Sequence, residues 1–309
     1  MPTILATLLF CVAAPGSGQE TEALPRAGAL PASTRAMALG DAYQTGSRHA
    51  DAVFYHPALL GRASGFGLAW QRWSAESSSA SASAAVEWLG GGVGVGLRAF
   101  QYSDEPLSGF PFPAPPRRGQ DDLFDVGSRP VSERIASLGY GRELPWLELD
   151  VGAVAELVDQ RMGTSQHTVL LFDLGLARTV GPLTVALTAH DLGTKPVVDV
   201  GDDPSRWTLG LGGYGRPVGP LDLGMAARLG LDHEERVTWG GGLEIGYWPI
   251  QGRTFVARIG VQDAPDDSDV GHLTTGFAFW GDDLTVEWAF RPVSGADEGG
   301  THRFGVRFR

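Results

Sequence analysis

The most regular feature of the chain is an alternation of apolar with polar or small side chains, which begins near residue 64. From Leu221 to Leu231, for example, every second residue is apolar, and Asp222, Arg228 and small residues lie between. A period of two is typical of β-strands whose two faces meet different surroundings. Several of these runs extend over about nine to eleven residues, which is the length that crosses an outer membrane at a tilt. A soluble sandwich shows the same alternation in strands of about five or six residues.

The pattern predicts an even number of strands, and the connections between them differ in a regular way. Every second connection is short, whereas most of the others are longer and polar, notably 104–130, 192–205, 263–270 and 292–300. Short turns on one side and longer loops on the other are typical of outer-membrane barrels, and a sandwich has no reason to keep that order. The sequence therefore predicts an all-β fold, a 14-stranded antiparallel transmembrane β-barrel, with strands near 64–74, 79–89, 92–103, 131–141, 146–159, 167–179, 182–191, 206–215, 220–231, 237–248, 253–262, 271–280, 283–291 and 301–308.

Aromatic residues favour the same interpretation. Seven tryptophans lie at or near predicted strand ends, where side chains at the membrane–water interface are expected: Trp73, Trp88, Trp146, Trp207, Trp239, Trp248 and Trp280. The last strand ends with Phe304 and Phe308, followed by Arg309. A closing strand with an aromatic residue near its end resembles the signal that barrel-assembly machinery recognises in its clients.

The N-terminus has the pattern of an export signal. An apolar run, 4–14, precedes small residues and a polar stretch, so residues 1–18 are predicted to be a signal peptide; the alternative is a buried core helix. The mature chain then divides into an N-terminal periplasmic or lumenal segment, 19–63, and the barrel, 64–309. The only cysteine, Cys11, lies in the leader, which suits an oxidising envelope compartment. We expect the protein in the bacterial outer membrane.

Composition and motifs exclude several classes of function. The net charge is −12, with 24 Lys+Arg against 36 Asp+Glu and no basic stripe, which argues against nucleic-acid binding. The chain contains no metal-ligand spacing, nucleotide-binding loop or nucleophile elbow. We therefore expect no catalytic residues, no metal and no cofactor, and a protein that is not an enzyme.

The segment Ser33–Gly61 lacks strand alternation and carries four short motifs in order: 35–36, 39–42, 49–52 and 55–58. In order and spacing, it resembles the entry motif of the PorV/PorQ family of outer-membrane proteins, which are FadL-like β-barrels. His56 and Asp41 depart from the usual Asn and Gly of that motif. The resemblance implies that the segment is a hatch folded inside the barrel, and its candidate residues are Arg35, Gly40, Asp41, Asp51, Phe54, Tyr55, His56 and Pro57.

The alternation also assigns charged residues to the lumen. The lumen-facing candidates are Glu148, Asp150, Glu156, Asp173, His190, Asp222, Arg228, Glu244, Arg258, Glu287, Arg291 and Arg303. Both signs occur, so we expect ion pairs between strands and with the hatch, and a self-neutralised lining is favoured over an ion pathway. In the predicted loop 104–130, Phe110 and Phe112 stand among four prolines, which indicates either a contact site for a hydrophobic ligand or partner or a rigid spacer.

The resemblance implies two alternative functions, neither of them enzymatic. One is passage of small hydrophobic molecules through a plugged barrel. The other is service as an accessory barrel of a type IX-like protein secretion system that binds exported proteins. The expected partners are outer-membrane lipids, the barrel-assembly machinery during biogenesis, and either a hydrophobic ligand or secretion-system proteins.

Overall fold

A computed structural model gives the fold of the chain, and it describes residues 28, 30–46, 49–73, 77–102, 131–162, 165–193, 207–231, 236–250, 253–263, 271–293 and 300–308. These residues form fourteen antiparallel strands in one closed ring, in which each strand pairs with its neighbours in sequence and β1 pairs with β14. The prediction of a 14-stranded antiparallel barrel is confirmed. The strands are β1 Gly65–Arg72, β2 Ser77–Trp88, β3 Gly91–Tyr102, β4 Val131–Leu144, β5 Leu149–Met162, β6 Ser165–Val180, β7 Leu183–Gly193, β8 Trp207–Val218, β9 Leu221–Leu231, β10 Val237–Ile250, β11 Arg253–Gln262, β12 Leu273–Trp280, β13 Leu284–Pro292 and β14 Gly300–Phe308.

The two ends of the barrel differ as the sequence predicted. At one end, which we call the short-turn end, two to four residues join consecutive strands, as at 89–90, 145–148 and 219–220. At the other, the long-loop end, most connections are longer, although only two residues separate β5 from β6. β1 begins and β14 ends at the short-turn end, where Phe66 pairs with Phe308.

The two faces of each strand explain the alternation. The outer face carries large apolar side chains that remain exposed in the isolated chain, such as Leu97, Leu243 and Phe277. The inner face carries small, polar and charged side chains, most of which are buried. Among the described residues, no helix is long and apolar enough to cross a bilayer.

Glu148 is not on the lumen face, and its assignment from the sequence was wrong. β4 ends at Leu144, and residues 145–148 form a turn in which Glu148 has a left-handed φ of 51°. Its side chain is 75% exposed and pairs with Arg178 at 2.7 Å. The prediction failed because Leu147 and Glu148 continue the alternation of β5, so periodicity alone does not reveal where the turn ends.

Two of the seven tryptophans also differ from expectation. Trp88, Trp146, Trp207, Trp239 and Trp248 are exposed, as interface residues would be. Trp73 and Trp280 occupy inward positions instead: the Trp73 indole N–H donates to Ser79 Oγ at 3.1 Å, and Trp280 lies 5.7 Å from the Arg35 guanidinium. Both side chains therefore help to fill the lumen.

Residues 30–46 and 49–63 lie inside the barrel, and we call them the hatch. They contain a short helix, α1 (Thr34–Ala38), and two 3-10 helices, η1 (Ala50–Phe54) and η2 (Pro57–Arg62). Their side chains form most of the main buried apolar cluster, together with wall residues such as Val154 and Ala186. The remainder of the predicted segment 19–63 and the predicted signal peptide 1–18 lie largely outside the described residues.

Candidate functional site

The first half of the hatch, residues 30–46, contains the short helix α1, which ends where the chain contacts the wall. Ser33 occupies the N-cap position of α1, but its side chain makes no capping hydrogen bond. After the helix, Gly40 and Asp41 both take left-handed φ values, 64° and 59°, and the Asp41 N–H donates to Ala36 O at 2.8 Å. Gly40 cannot carry a side chain, because a Cβ there would lie 2.1 Å from Val261 O. Glycine is thus required both by the backbone angle and by the close approach.

The second half consists of two 3-10 turns separated by Tyr55 and His56. η1 ends before Pro57, since the residue preceding a proline is disfavoured in helical conformation. Pro57 then begins η2, the position where a helix needs no N–H donor. This arrangement presents the Pro57 and Leu60 backbone to the wall.

Tyr55 joins the two halves. Its phenol oxygen accepts hydrogen bonds from the N–H groups of Ala32 and Ser33, at 2.8 and 2.9 Å. Its ring packs edge-on against Tyr43, with centroids 5.4 Å apart. Burial raises the pKa of Tyr55, and the Asp41 carboxylate raises it further, so the phenol stays protonated.

Glycines on β3 to β6 form a seat for the second half, which we call the first glycine seat. A Cβ on Gly92 would lie 1.9 Å from Leu60 O, and one on Gly152 would lie 2.3 Å from Pro57 O. On Gly94 and Gly96 it would meet the Leu60 and Phe54 side chains at 2.5 and 2.3 Å. The hatch backbone therefore lies directly on the wall, and the Gly-rich stretch 92–96 is where it approaches.

A second glycine seat on β10 to β12 receives residues 38–40, on the opposite side of the ring. A Cβ on Gly240 would lie 2.1 Å from Gly40 O, and one on Gly260 would lie 2.2 Å from Gly40 N. A Cβ on Gly276 would meet the Ala38 Cβ at 2.5 Å. Since hatch atoms fill both seats, the hatch is braced between opposite walls.

A buried ion network joins the hatch to β10, β11, β13 and β14. Arg35 donates to both carboxylate oxygens of Glu244, at 2.9 and 2.7 Å, a bidentate geometry. Arg258 lies 2.6 Å from Glu244 and 2.8 Å from Glu287. Arg307 pairs with Glu287 and lies 4.0 Å from Asp51. Three guanidinium groups thus face three carboxylates in this network.

Two further ion pairs join the hatch to the wall. Asp41 lies 3.6 Å from Arg228, and Arg62 lies 3.1 Å from the buried Asp150 at the short-turn end. Arg303, fully buried, donates to Ala32 O, to Ser81 Oγ at 2.8 Å and to Gln71 Oε1 at 3.2 Å. Ala32 near the start of the hatch and Arg62 near its end are therefore both fixed to the wall.

A second group of charged residues lies on β3, β5, β6 and β7. Arg98 lies 3.5 Å from Glu156, and its guanidinium stands 5.2 Å from the Phe54 ring. His190 Nδ1 lies 3.0 Å from Asp173, at a β-bulge where the register between β6 and β7 shifts. Arg291 stands apart from this group and donates to Gln262 Oε1 at 2.7 Å.

His56 is fully buried, and its ring lies against Gly175, whose Cβ would be 2.9 Å from His56 Cε1. Burial, together with the nearby His190, lowers the pKa of His56 to about 3, so the ring is neutral. The imidazole of His56 thus places a titratable group at the first glycine seat.

One part of the inner wall is apolar. Ile135, Val158 and Val169 lie directly opposite one another on β4, β5 and β6, and Phe100 and Leu171 extend the cluster. We call these five residues the lumen patch. They belong to the half of the barrel toward the long-loop end, and Leu30 at the start of the hatch packs against them. The patch is the one place in the described lumen where large apolar wall residues cluster beyond the hatch itself.

Several residues of this site were not predicted. Arg98 and Arg307 share the inward parity of their strands, so the alternation contained their signal. The lumen patch had the same signal, because its residues occupy inward positions of β3 to β6. Phe110 and Phe112 lie outside the described residues. Within the described ranges, no group of three or more His, Cys, Asp or Glu side chains is placed to hold a metal ion.

Comparison with known proteins gives structural but not sequence relatives. No family model matches the chain, and no curated protein matches it. The Pseudomonas putida toluene transporter TodX has a TM-score of 0.55 at 12% identity, covering 88% of this chain and 95% of TodX. A Pseudomonas aeruginosa FadL homologue has a TM-score of 0.51 at 11% identity, covering 90% and 97%. These likenesses show a FadL-like barrel fold of the kind found in bacterial outer-membrane proteins.

Proposed function

We propose that this FadL-like barrel is a non-enzymatic outer-membrane protein that passes small hydrophobic molecules around its hatch. The observation that carries the proposal is the lumen patch. Most other described inward side chains are polar, charged or small, whereas the patch offers five large apolar side chains on the long-loop side of the first glycine seat. An apolar surface beside a few placed polar groups is typical of sites for hydrophobic ligands.

The fold supports the same class of cargo. TodX, which shares the fold, is described as a toluene transporter, and a TodX variant that also shares it is described as a monoaromatic hydrocarbon channel, with a TM-score of 0.50 at 10% identity. We propose a cargo of similar apolar character here. Membership of the PorV/PorQ family and export by residues 1–18 belong to the same proposal, as does location in the outer membrane.

The outer surface is consistent with that location. Phe304 and Phe308 on the closing strand are 50% and 45% exposed, so lipid and the barrel-assembly machinery can reach them. The predicted contact site at Phe110 and Phe112 would deliver ligand to the long-loop end, where the lumen patch lies.

Uptake measured in a matched pair of variants tests the proposal. Cells that produce the wild-type protein should take up a radiolabelled monoaromatic hydrocarbon faster than cells that lack it. Ile135→Ser places a hydroxyl in the lumen patch and should slow uptake, whereas Ala136→Ser, on the outer face of the same strand, should not. Equal uptake by producing and non-producing cells would refute hydrophobic passage. If the non-producing cells instead secreted fewer proteins than the producing cells, the accessory role in secretion would replace it.

A further inference from the structure

Two arginine side chains meet at the second glycine seat, toward the long-loop end of the barrel. Gly240 pairs with Arg228 on β9 and with Gln262 on β11, so these two inward residues stand on either side of it. Arg291 reaches the same place from β13 and donates to Gln262 Oε1 at 2.7 Å. The two guanidinium groups therefore flank the part of the hatch that lies over Gly240. We call Arg228 and Arg291 the arginine pair.

The hatch sets a single carboxylate against the arginine pair. Asp41 follows Gly40, whose carbonyl oxygen lies over Gly240, and its carboxylate is 3.6 Å from Arg228. Asp41 and Arg228 are also the charged groups that act on Arg291. Arg291 is only 7% exposed, yet no carboxylate among the described residues lies within 4.0 Å of its guanidinium group. Two cations thus share one carboxylate, and a buried charge without a partner is costly.

Three buried polar atoms at this place have no hydrogen-bond partner in the described part of the chain: Arg228 Nε, Arg291 Nε and Asp41 Oδ1. Arg228 Nε lies 3.8 Å from the position that a Cβ on Gly240 would take, so it is at the seat itself. Buried polar groups in folded proteins are almost always hydrogen-bonded. One partner for all three atoms must accept from two guanidinium groups and donate to a carboxylate.

Hydrogen phosphate has this combination of groups. Its oxygens accept charge-assisted hydrogen bonds from arginine, and its P–OH group donates to a carboxylate. Its negative charge also balances the second guanidinium group, which a water molecule cannot do. Sulfate has the same shape but carries no proton at neutral pH, so its oxygen beside Asp41 would meet a like charge without a hydrogen bond.

We propose that the arginine pair and Asp41 form a binding site for hydrogen phosphate at the second glycine seat. The side chains of Arg228 and Asp41 are 16% and 20% exposed, so a solute in the lumen can reach them. The lumen patch lies across the ring on β3 to β6. Phosphate binding therefore does not depend on hydrophobic passage, and either proposal can fail without the other.

Isothermal titration calorimetry on the folded wild-type protein in detergent tests the proposal, with inorganic phosphate and sulfate as titrants at equal ionic strength. Phosphate should bind at one saturable site, and sulfate should bind at least about tenfold more weakly. Arg291→Gln removes one of the two cations and should weaken phosphate binding by about 10- to 150-fold, the range for a hydrogen bond to a charged group.

Asp41→Asn gives a readout that a loss of structure would not. Asparagine tolerates the left-handed backbone of this position, where φ is 59°, and its side-chain amide can donate a hydrogen bond to an anion. The variant should therefore bind sulfate as tightly as phosphate, because the like charge that rejects sulfate is gone. A disturbed site would weaken the binding of both anions instead, and that result would contradict the selective role of Asp41.

Arg161→Gln is the matched control. Arg161 lies toward the same end of the barrel but on the outer face of β5, with a side chain that is 48% exposed, so its loss should leave both affinities unchanged. Gel mobility without boiling verifies that each variant is a closed barrel, and Arg228→Gln replaces Arg291→Gln if the latter does not fold. The proposal is overturned if the wild type binds no phosphate saturably, if it binds sulfate as tightly as phosphate, or if the folded arginine variant binds phosphate as tightly as the wild type.

Discussion

The first glycine seat makes Gly92→Ala a sensitive test of how the hatch is held. A Cβ at this position would lie 1.9 Å from Leu60 O, whereas ordinary contact begins at 3.4 Å, so the two backbones would have to separate by about 1.5 Å. Backbone atoms on both sides leave no flexible side chain to move aside. Overpacking of this kind costs about 1–3 kcal/mol, which corresponds to a roughly 5- to 150-fold increase in the population with a displaced hatch.

Trypsin cleavage after Arg35 measures that population, because Arg35 is 4% exposed in the closed hatch. Cleavage in Gly92→Ala, followed by mass spectrometry, should be faster than in the wild type by the same factor, while the boiled and unboiled gel mobilities show an intact barrel. Gly241→Ala is the matched control, since its Cβ would find its nearest neighbour at 3.4 Å. If the two variants were cleaved at the same rate, the close approach of Leu60 to Gly92 would not hold the hatch in place.

Three further changes act on other contacts of the hatch. Glu244→Gln leaves Arg35 and Arg258 without their shared carboxylate, so the trypsin assay should show the closed hatch destabilised by about 3–5 kcal/mol. Glu143→Gln, at an exposed ion pair, should change the stability of the closed hatch by less than about 1 kcal/mol. Tyr55→Phe removes the acceptor of the Ala32 and Ser33 N–H groups, so hydrogen exchange of those two amides should become faster, by an amount that reflects about 1–3 kcal/mol for each unsatisfied group; unchanged exchange would contradict the role of Tyr55. The pKa of His56 falls from 6.5 to about 3 in the closed hatch, so the closed hatch should be fully stable above pH 6.5 and less stable below it. Opening of the hatch should be about 30-fold more favourable at pH 5 than at pH 8. The variant His56→Asn should lack this pH dependence.

The strands could be predicted because a lipid-facing barrel imposes one rule on every strand. Apolar residues face out and smaller or polar residues face in, so the sequence alone shows the number of strands and the order of short turns and long loops. The same rule cannot detect a turn that keeps the alternation, which is why Glu148 was misplaced. Nor can it separate an interface tryptophan from an inward one near a strand end, as Trp73 and Trp280 show.

The contacts between the hatch and the wall could not be predicted from the alternation. Arg35 and Glu244 are 209 positions apart, and nothing in either local sequence indicates the partner. Glycines on the inner face give no such signal either, because the sequence does not distinguish Gly92, which lies at a seat, from Gly67, which does not. Only the closed ring, which sets β3 to β6 against β10 to β12, shows which glycines meet the hatch backbone.

The two opposed glycine seats have a consequence for biogenesis. The hatch backbone touches both walls at distances that leave no room for a side chain, and the closed hydrogen-bond ladder of the wall cannot widen to admit it. The hatch must therefore already lie across the growing sheet when β14 meets β1. The hatch is thus a template around which the last strand completes the ring, and a change that delays its seating should slow closure of the whole barrel.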